Sequence, residues 1–434
     1  MKRDLRAQLN RLGVNKGARN LRPKRPLVSP ELQPFERVSS AQAQDETTLE
    51  EVFPHGRLES VGSQACFITE KVYPLPHQHG LYPLGALLEH APQTAAHFTG
   101  DTRLHDLSFD DFLFIDTETT GLGGAGTLAF MVGVAYFERE ALVVRQYFLR
   151  DHADEGAMLP LLAELVGEKP AVISFNGRSF DLPLLDTRFL MNRLDLPHGD
   201  LVQMPHLDLL HPARRIWRQR LESCRLSSLE ENVLGIQRTH EDVPGSLIPY
   251  LYNQYLREGD IRPLRRVFYH NQLDMLSMVT LTTRLLQLFT EPSADDHPLE
   301  LLGLGRWQFD LGLHEQSEQT LQLARERTLR VDEEQLILRQ LAQQLKKNGR
   351  RAEAVPLWEQ IALYSEEQVD AHVELAKFYE WHEIDLPRAL NWAEQAAGLL
   401  TMYAPYERIQ RQELKKRVSR LQEKLLRRSG SGES

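Results

Sequence analysis

Apolar and polar positions follow no sustained period over the first sixty residues. Pro, Ser, Gln and charge mix over 14–60, and only Leu5, Leu9 and Leu12 recur at helical spacing. So short a stripe is marginal as an isolated helix, and 1–60 reads as a basic, largely disordered arm and linker. Over 61–110, short apolar pieces broken by Pro and Gly suggest a small cap segment on the neighbouring domain. From 111 the pattern sharpens. FLFID (112–116), AFMVGVAYF (129–137) and ALVVRQYFL (141–149) are rich in β-branched and aromatic residues, and only Glu138, Arg139 and Glu140 part the last two. They predict three strands of an antiparallel meander. MLPLLAELV (158–166) predicts a helix, AVISF (171–175) a buried strand, 182–193 another helix and HLDLL (206–210) a further strand. Residues 211–289 read as mostly helical. A mixed α/β sheet flanked by helices is therefore expected over 111–290.

Beyond 296 the strand signal ends. Segments 301–324, 337–362 and 371–396 each lead from an apolar helix through a polar turn into a second helix. Phe309, Leu345 and Phe378 or Tyr379 recur at intervals of about 34–36 residues. This resembles the tetratricopeptide repeat, with a longer turn around Ile384–Pro387 in the third copy. Such hairpins bury their apolar faces only by stacking, so 297–428 is expected to be an all-α repeat domain, with 407–428 its capping helix. Repeats of this kind can carry a protein partner.

Composition narrows the class. The 434 residues are 41% hydrophobic and 26% charged, enough for two globular domains plus tails. No run approaches the ~18 apolar residues of a membrane helix, and MKRDLRAQLNRLG lacks an apolar signal core. Cys66 and Cys224 form no CxxC pair, which excludes a disulfide scaffold or zinc finger and fits a reducing, cytoplasmic setting. The net charge is −10, yet residues 1–30 hold nine Lys/Arg against Asp4 alone, leaving −18 on the rest. Such a chain is no general polyanion binder, although its basic arm can reach phosphates.

The candidate chemistry sits in 111–290. Strand alternation puts Asp116 and Glu118 of IDTET on one face. Two such carboxylates repel by about 4 kcal/mol at ~4 Å and an effective dielectric of ~20, unless a divalent cation lies between them. FNGRSFDLPLL (175–185) adds Asp181 where a strand passes into a helix, with Asn176 and Gly177 in the turn. YHNQLDMLSM (269–278) adds Asp274 on an amphipathic helix. Segments this distant converge only through a fold, and four buried acids without a cation would be severely destabilising. His77 and His79 in PHQHG read as turn residues. Asp208 reads as a satisfied strand-end carboxylate.

FIDTETTGL, NGRSFD and YHNQLD resemble, in order, the three exonuclease motifs of the DEDD group within the ribonuclease H-like superfamily. GGAGT (123–127), HLDLLHPARRIW (206–217), CRLSSLE (224–230) and DVPGSLIPYLY (242–252) bring the likeness closer to the YprB-like ribonuclease H-like proteins. The resemblance covers about 60–290. It implies that Asp116, Glu118, Asp181 and Asp274 bind two divalent cations, Mg²⁺ or Mn²⁺. It also implies 3′→5′ removal of nucleotides from DNA or RNA by metal-activated water. A non-catalytic nucleic-acid-binding scaffold and a structure-specific endonuclease are the alternatives on the same core.

One departure stands out. The group carries a His five positions, or a Tyr four positions, before the last Asp. Here Tyr269 is at minus five and His270 at minus four. On a helix a separation of four leaves side chains about 40° apart and five about 140°, which favours His270 as general base or water orienter. For the substrate, Thr117 to Leu122 would pass close to a terminal nucleotide, with Gly121 allowing the approach. Asn176 and Asn271 adjoin motif acids. Arg214 and Arg215 suit phosphate oxygens with Trp217 as a nearby stacking surface, or they lie on the solvated face of an amphipathic helix with Trp217 in the core.

Overall fold

The computed structural model describes residues 48–121, 126–364, 369–403 and 408–430. Residues 1–47 of the expected arm lie outside them, as do Leu122 and most of the GGAGT run.

The α/β domain is built on a seven-stranded sheet. Its strands are β1 (Arg57–Val61), β2 (Gln64–Pro74), β5 (Phe112–Thr119), β6 (Ala129–Glu138), β7 (Ala141–Phe148), β8 (Ala171–Ser174) and β9 (His206–Asp208). A separate two-residue hairpin pairs β3 (Gln78–His79) with β4 (Tyr82–Pro83). The sheet order is β1-β2-β7-β6-β5-β8-β9. β5, β6 and β7 form the expected meander, and β5-β8-β9 are parallel. The stretch 61–110, read as a cap, divides: Gln64–Pro74 extends the sheet alongside β7, while short helices such as Pro92–Thr99 pack further on. Cross-strand pairing of Thr69 with Gln146 and Val72 with Val143 carries no local sequence signal, which is why this strand is not legible from the sequence.

Alternation along β5 sorts the core into two faces. Phe112 and Phe114 join one cluster with Met275, Met278 and Leu285 of a long helix. Leu113 and Ile115 join the other with Leu162, Leu182 and Tyr252. Each such fully buried side chain contributes on the order of 1.5–3 kcal/mol by transfer from water. The helices of this domain are α1 (Glu155–Glu168), α2 (Asp181–Met191), α3 (Leu210–Trp217), α4 (Ile248–Glu258) and α5 (Arg265–Thr290).

The remainder of the chain is all-helical: α6 (Pro298–Asp310), α7 (His314–Arg327), α8 (Val331–Lys347), α9 (Arg351–Tyr364), α10 (Val369–Trp381), α11 (Leu386–Tyr403) and α12 (Arg408–Gly430). Consecutive helices pack as hairpins, and α12 closes the stack on α11. The third turn is tightened by Ile384 at φ 56°. The first cluster runs on from α5 into Trp307, Leu321 and Ile337, so sheet and repeats share a core. At the junction α6 lies directly on α3: a Cβ on Gly303 would stand 2.4 Å from the Ile216 carbonyl oxygen. Among the described residues no helix is long and apolar enough to cross a membrane.

Candidate active site

Asp116 and Glu118 leave the end of β5 on the face shared with Phe112 and Phe114, toward α5. Asp181 is the first residue of α2, and Asp274 sits in the middle of α5. The four carboxyls are close enough to act on one another electrostatically. Burial, followed by the charges of Asp181, Asp274 and Glu118, raises the Asp116 carboxyl well above its ordinary range. Burial likewise pushes Glu118 up to about 8, against the opposing pull of His270. Asp181 and Asp274 are raised too, burial being the largest cause for both. Removal from water is the main reason all four hold their protons so firmly, and for Asp116 the neighbouring carboxylates add to it.

Each acid is held by identifiable neighbours. Thr117 donates to Asp181 Oδ1 through its hydroxyl (2.5 Å) and its backbone N–H (3.1 Å), so this residue serves the motif acid itself. Asn271 is fully buried on α5 and donates to Asp116 Oδ2 at 3.0 Å. Its amide is oriented by Gln146 of β7, which donates to Asn271 Oδ1 (2.9 Å) and accepts from Thr69 (3.1 Å). Gly133, paired with Asp116 across the sheet, leaves the room: a Cβ there would lie 2.0 Å from Asn271 Oδ1.

On the other side stands Asp274. His270 Nε2 lies 3.6 Å from its Oδ2, one helical turn away. His270 Nδ1 is 2.7 Å from Asp242, which turns Nε2 toward the acids. Burial opposes a charged imidazole, but the Asp242 hydrogen bond and the charges of Asp274 and Glu118 outweigh it and raise His270 to about 8. Tyr269 points elsewhere, lining a cavity with Phe53, Gln146 and Arg266. Arg238 joins the site with no motif to announce it. Its guanidinium donates to Asp274 Oδ1 and to both oxygens of Glu230, at 2.5 and 2.7 Å. Glu230, 1% exposed, also accepts from Ser277 of α5, which meets His79 at 2.9 Å. His79 is therefore a buried structural partner.

Other expected residues have partners of their own. Asn176 adopts φ 69° and its backbone N–H donates to Asp208, as do those of Arg178 and Leu210. Asp208 is thus a satisfied strand-end carboxylate. Trp217 is fully buried, which decides for its place in the core and against a stacking surface. Arg215 turns to Asp310 at 2.8 Å and lies over Trp307, so it joins α3 to α6; Arg214 is exposed on the same helix. Gly121 sits where the strand exits, its carbonyl accepting from Thr119 at 2.7 Å. Phe180, just before Asp181, is 62% exposed.

The donor set is all carboxylate oxygen, which suits a hard dication such as Mg²⁺ or Mn²⁺. Among the described residues, however, no group of three or more His, Cys, Asp or Glu side chains is placed to hold a metal ion. Three of the four acids have donors in hand: Asp116 has Asn271, Asp181 has Thr117 and Asp274 has Arg238.

Gln146 and Arg238 escape sequence reasoning, and Glu230 and Asp242 enter it only as members of CRLSSLE and DVPGSLIPYLY, because their roles depend on contacts made across the fold. For Gln146 the available sign is a lone Gln in the apolar strand ALVVRQYF. Residues 113–286 match the family described as the RNase_H superfamily. The chain is also 32% identical over 369 residues to the uncharacterized protein YprB of Bacillus subtilis (strain 168), covering 83% of this chain and 86% of that protein.

Proposed function

The chain belongs to the YprB-like proteins of the ribonuclease H superfamily, and from that premise we propose that it is a metal-dependent nuclease, a 3′→5′ exonuclease acting on DNA or RNA. The observation that carries this reading is the gathering of Asp116, Glu118, Asp181 and Asp274 from three distant segments into one buried, mutually interacting cluster. The 3′→5′ polarity is what the resemblance of the three motifs to the DEDD exonucleases implies. In-line displacement at phosphorus works between two cationic centres that stabilise the attacking and leaving oxygens. When bound, Mg²⁺ or Mn²⁺ supplies Lewis acidity and lowers the pKa of water.

Asp116, Glu118 and Asp181 would hold such an ion, with Asp274 facing it from α5. Thr117 holds Asp181 in place, and Gln146 orients Asn271 so that its amide steadies Asp116. His270 Nε2 takes the proton of the attacking water, and Asp242 on Nδ1 steadies the imidazolium that forms. Gly121, Leu122 and Asn176 border the acids in sequence and would meet the terminal nucleotide, with Phe180 offering an exposed face for a base. Arg214 would reach phosphates further along the strand; Arg215 would have to leave Asp310 to do so. The helical repeats would carry a protein partner.

The test is end-labelled single- and double-stranded DNA and RNA, incubated with the full chain and Mg²⁺ or Mn²⁺, with Asp116→Asn as control. Stepwise mononucleotide release from 3′ ends by the parent alone is expected. Internal fragments would instead indicate an endonuclease. The Arg238–Asp274 ion pair, which neutralises a motif acid, favours a second reading as a non-catalytic binding scaffold. Binding without cleavage in every metal condition would establish it.

A further inference from the structure

The two sides of the acid cluster differ in their company. Asp116 faces carboxylates and a neutral amide. Asp274 faces the Arg238 guanidinium and the His270 ring. Arg238 is no wandering surface side chain. It is 13% exposed and clamped from behind by both oxygens of Glu230, which Ser277 fixes in turn. Its remaining edge reaches His270 Nδ1 at 3.0 Å and Asp242 at 3.4 Å. The clamp holds one positive charge in one orientation, so little rotamer freedom is left to lose when an anion arrives.

Resting on the hydrolase reading, we propose that Arg238 is a built-in second cation of this site. Each chain then takes one divalent ion, on the Asp116, Glu118 and Asp181 side. The guanidinium beside Asp274 holds the position a second ion would otherwise fill. A second dication there would face the fixed charge of Arg238 at close range and would find Asp274 already hydrogen-bonded. In the substrate complex the fixed positive charge of this guanidinium, whose N–H groups stay with Glu230, Asp274 and Asp242, lies beside the scissile phosphodiester, so one metal ion and one arginine share the two cationic roles.

The experiment is a Mn²⁺ titration of the full chain, with free ion followed by electron paramagnetic resonance. One tight ion per chain is expected for the parent and two for Arg238→Met. Asp274→Asn should still bind one ion, with affinity within several-fold of the parent, and Asp116→Asn should lose it. Two ions on the parent would overturn the Arg238 assignment while leaving the nuclease reading intact. No bound ion on the parent would overturn both. A folded Arg238→Met chain that binds only one ion would also overturn the assignment. Should that variant fail to fold, the parent and Asp274→Asn stoichiometries still decide.

Discussion

Two buried acidic centres in this molecule have opposite electrostatics. In the repeats, the Glu380 side chain is fully buried and takes Arg417 at 2.6 Å, Arg420 at 2.8 Å and Lys424 at 2.9 Å. Burial alone would raise its carboxyl; the hydrogen bonds from Arg420 and Lys424 and the charge of Arg417 more than offset that and hold it below the usual range. In the α/β domain, burial and the other carboxylates both push Asp116 up. A structural acid is given its countercharges by the chain. The acids of the candidate site are given too few, and they keep an affinity for something the chain does not supply. The Glu380 cluster ties α12 to α10, so its work is finished on folding. The Asp116 cluster costs stability on folding and recovers it on binding.

That contrast can be broken at several points. The largest effect is expected at Asp116→Asn. Cleavage should fall by about 10³-fold or more, the scale of several kcal/mol of lost transition-state stabilisation. The metal-free variant should nevertheless melt higher than the parent, because one repelling carboxylate is gone. A variant that loses activity and also melts lower would show that Asp116 is a structural acid like Glu380.

The next effect is a pH dependence. Glu118 is raised from 4.5 to about 8, so between these values the unfolded chain has released a proton that the folded chain retains. Stability of the metal-free protein should therefore fall as pH rises from 4.5 to 8, then level. Mg²⁺ or Glu118→Gln should flatten the decline. Melting curves with and without chelator decide it, and a parent profile already flat in chelator would contradict the raised Glu118 carboxyl.

Glu380→Gln should cost about 1–3 kcal/mol, because it leaves Arg417 without a carboxylate in a largely buried position, the other two cations being nearer solvent. Hydrogen exchange should localise the loosening to α10 and α12, with Mn²⁺ affinity unchanged. A loss of Mn²⁺ affinity would mean that the two centres are coupled. Smallest is Gln146→Leu, which frees the Asn271 amide and should lower metal affinity or turnover roughly 10–100-fold, leaving overall stability close to the parent's. Unchanged turnover in this variant would remove the Thr69–Gln146–Asn271 chain from any role at Asp116.

Local pattern makes much of this molecule readable. The apolar runs at 112–116, 129–137 and 141–149 correspond to β5, β6 and β7 because a strand buried on both faces must be apolar throughout. Alternation puts Asp116 and Glu118 on one face without reference to any neighbour. The helical hairpins are legible for the same reason, since each carries its own apolar stripe. Only the tertiary structure decided the rest. Gln64–Pro74 is a strand because β7 offers it a partner, and Trp217 is core because α3 is covered by α6. Arg238 sits in a polar loop whose sequence says nothing of Asp274, 36 residues away. Periodicity records which way a residue faces along its own element. Which charge it meets depends on how distant elements pack, and no local pattern carries that.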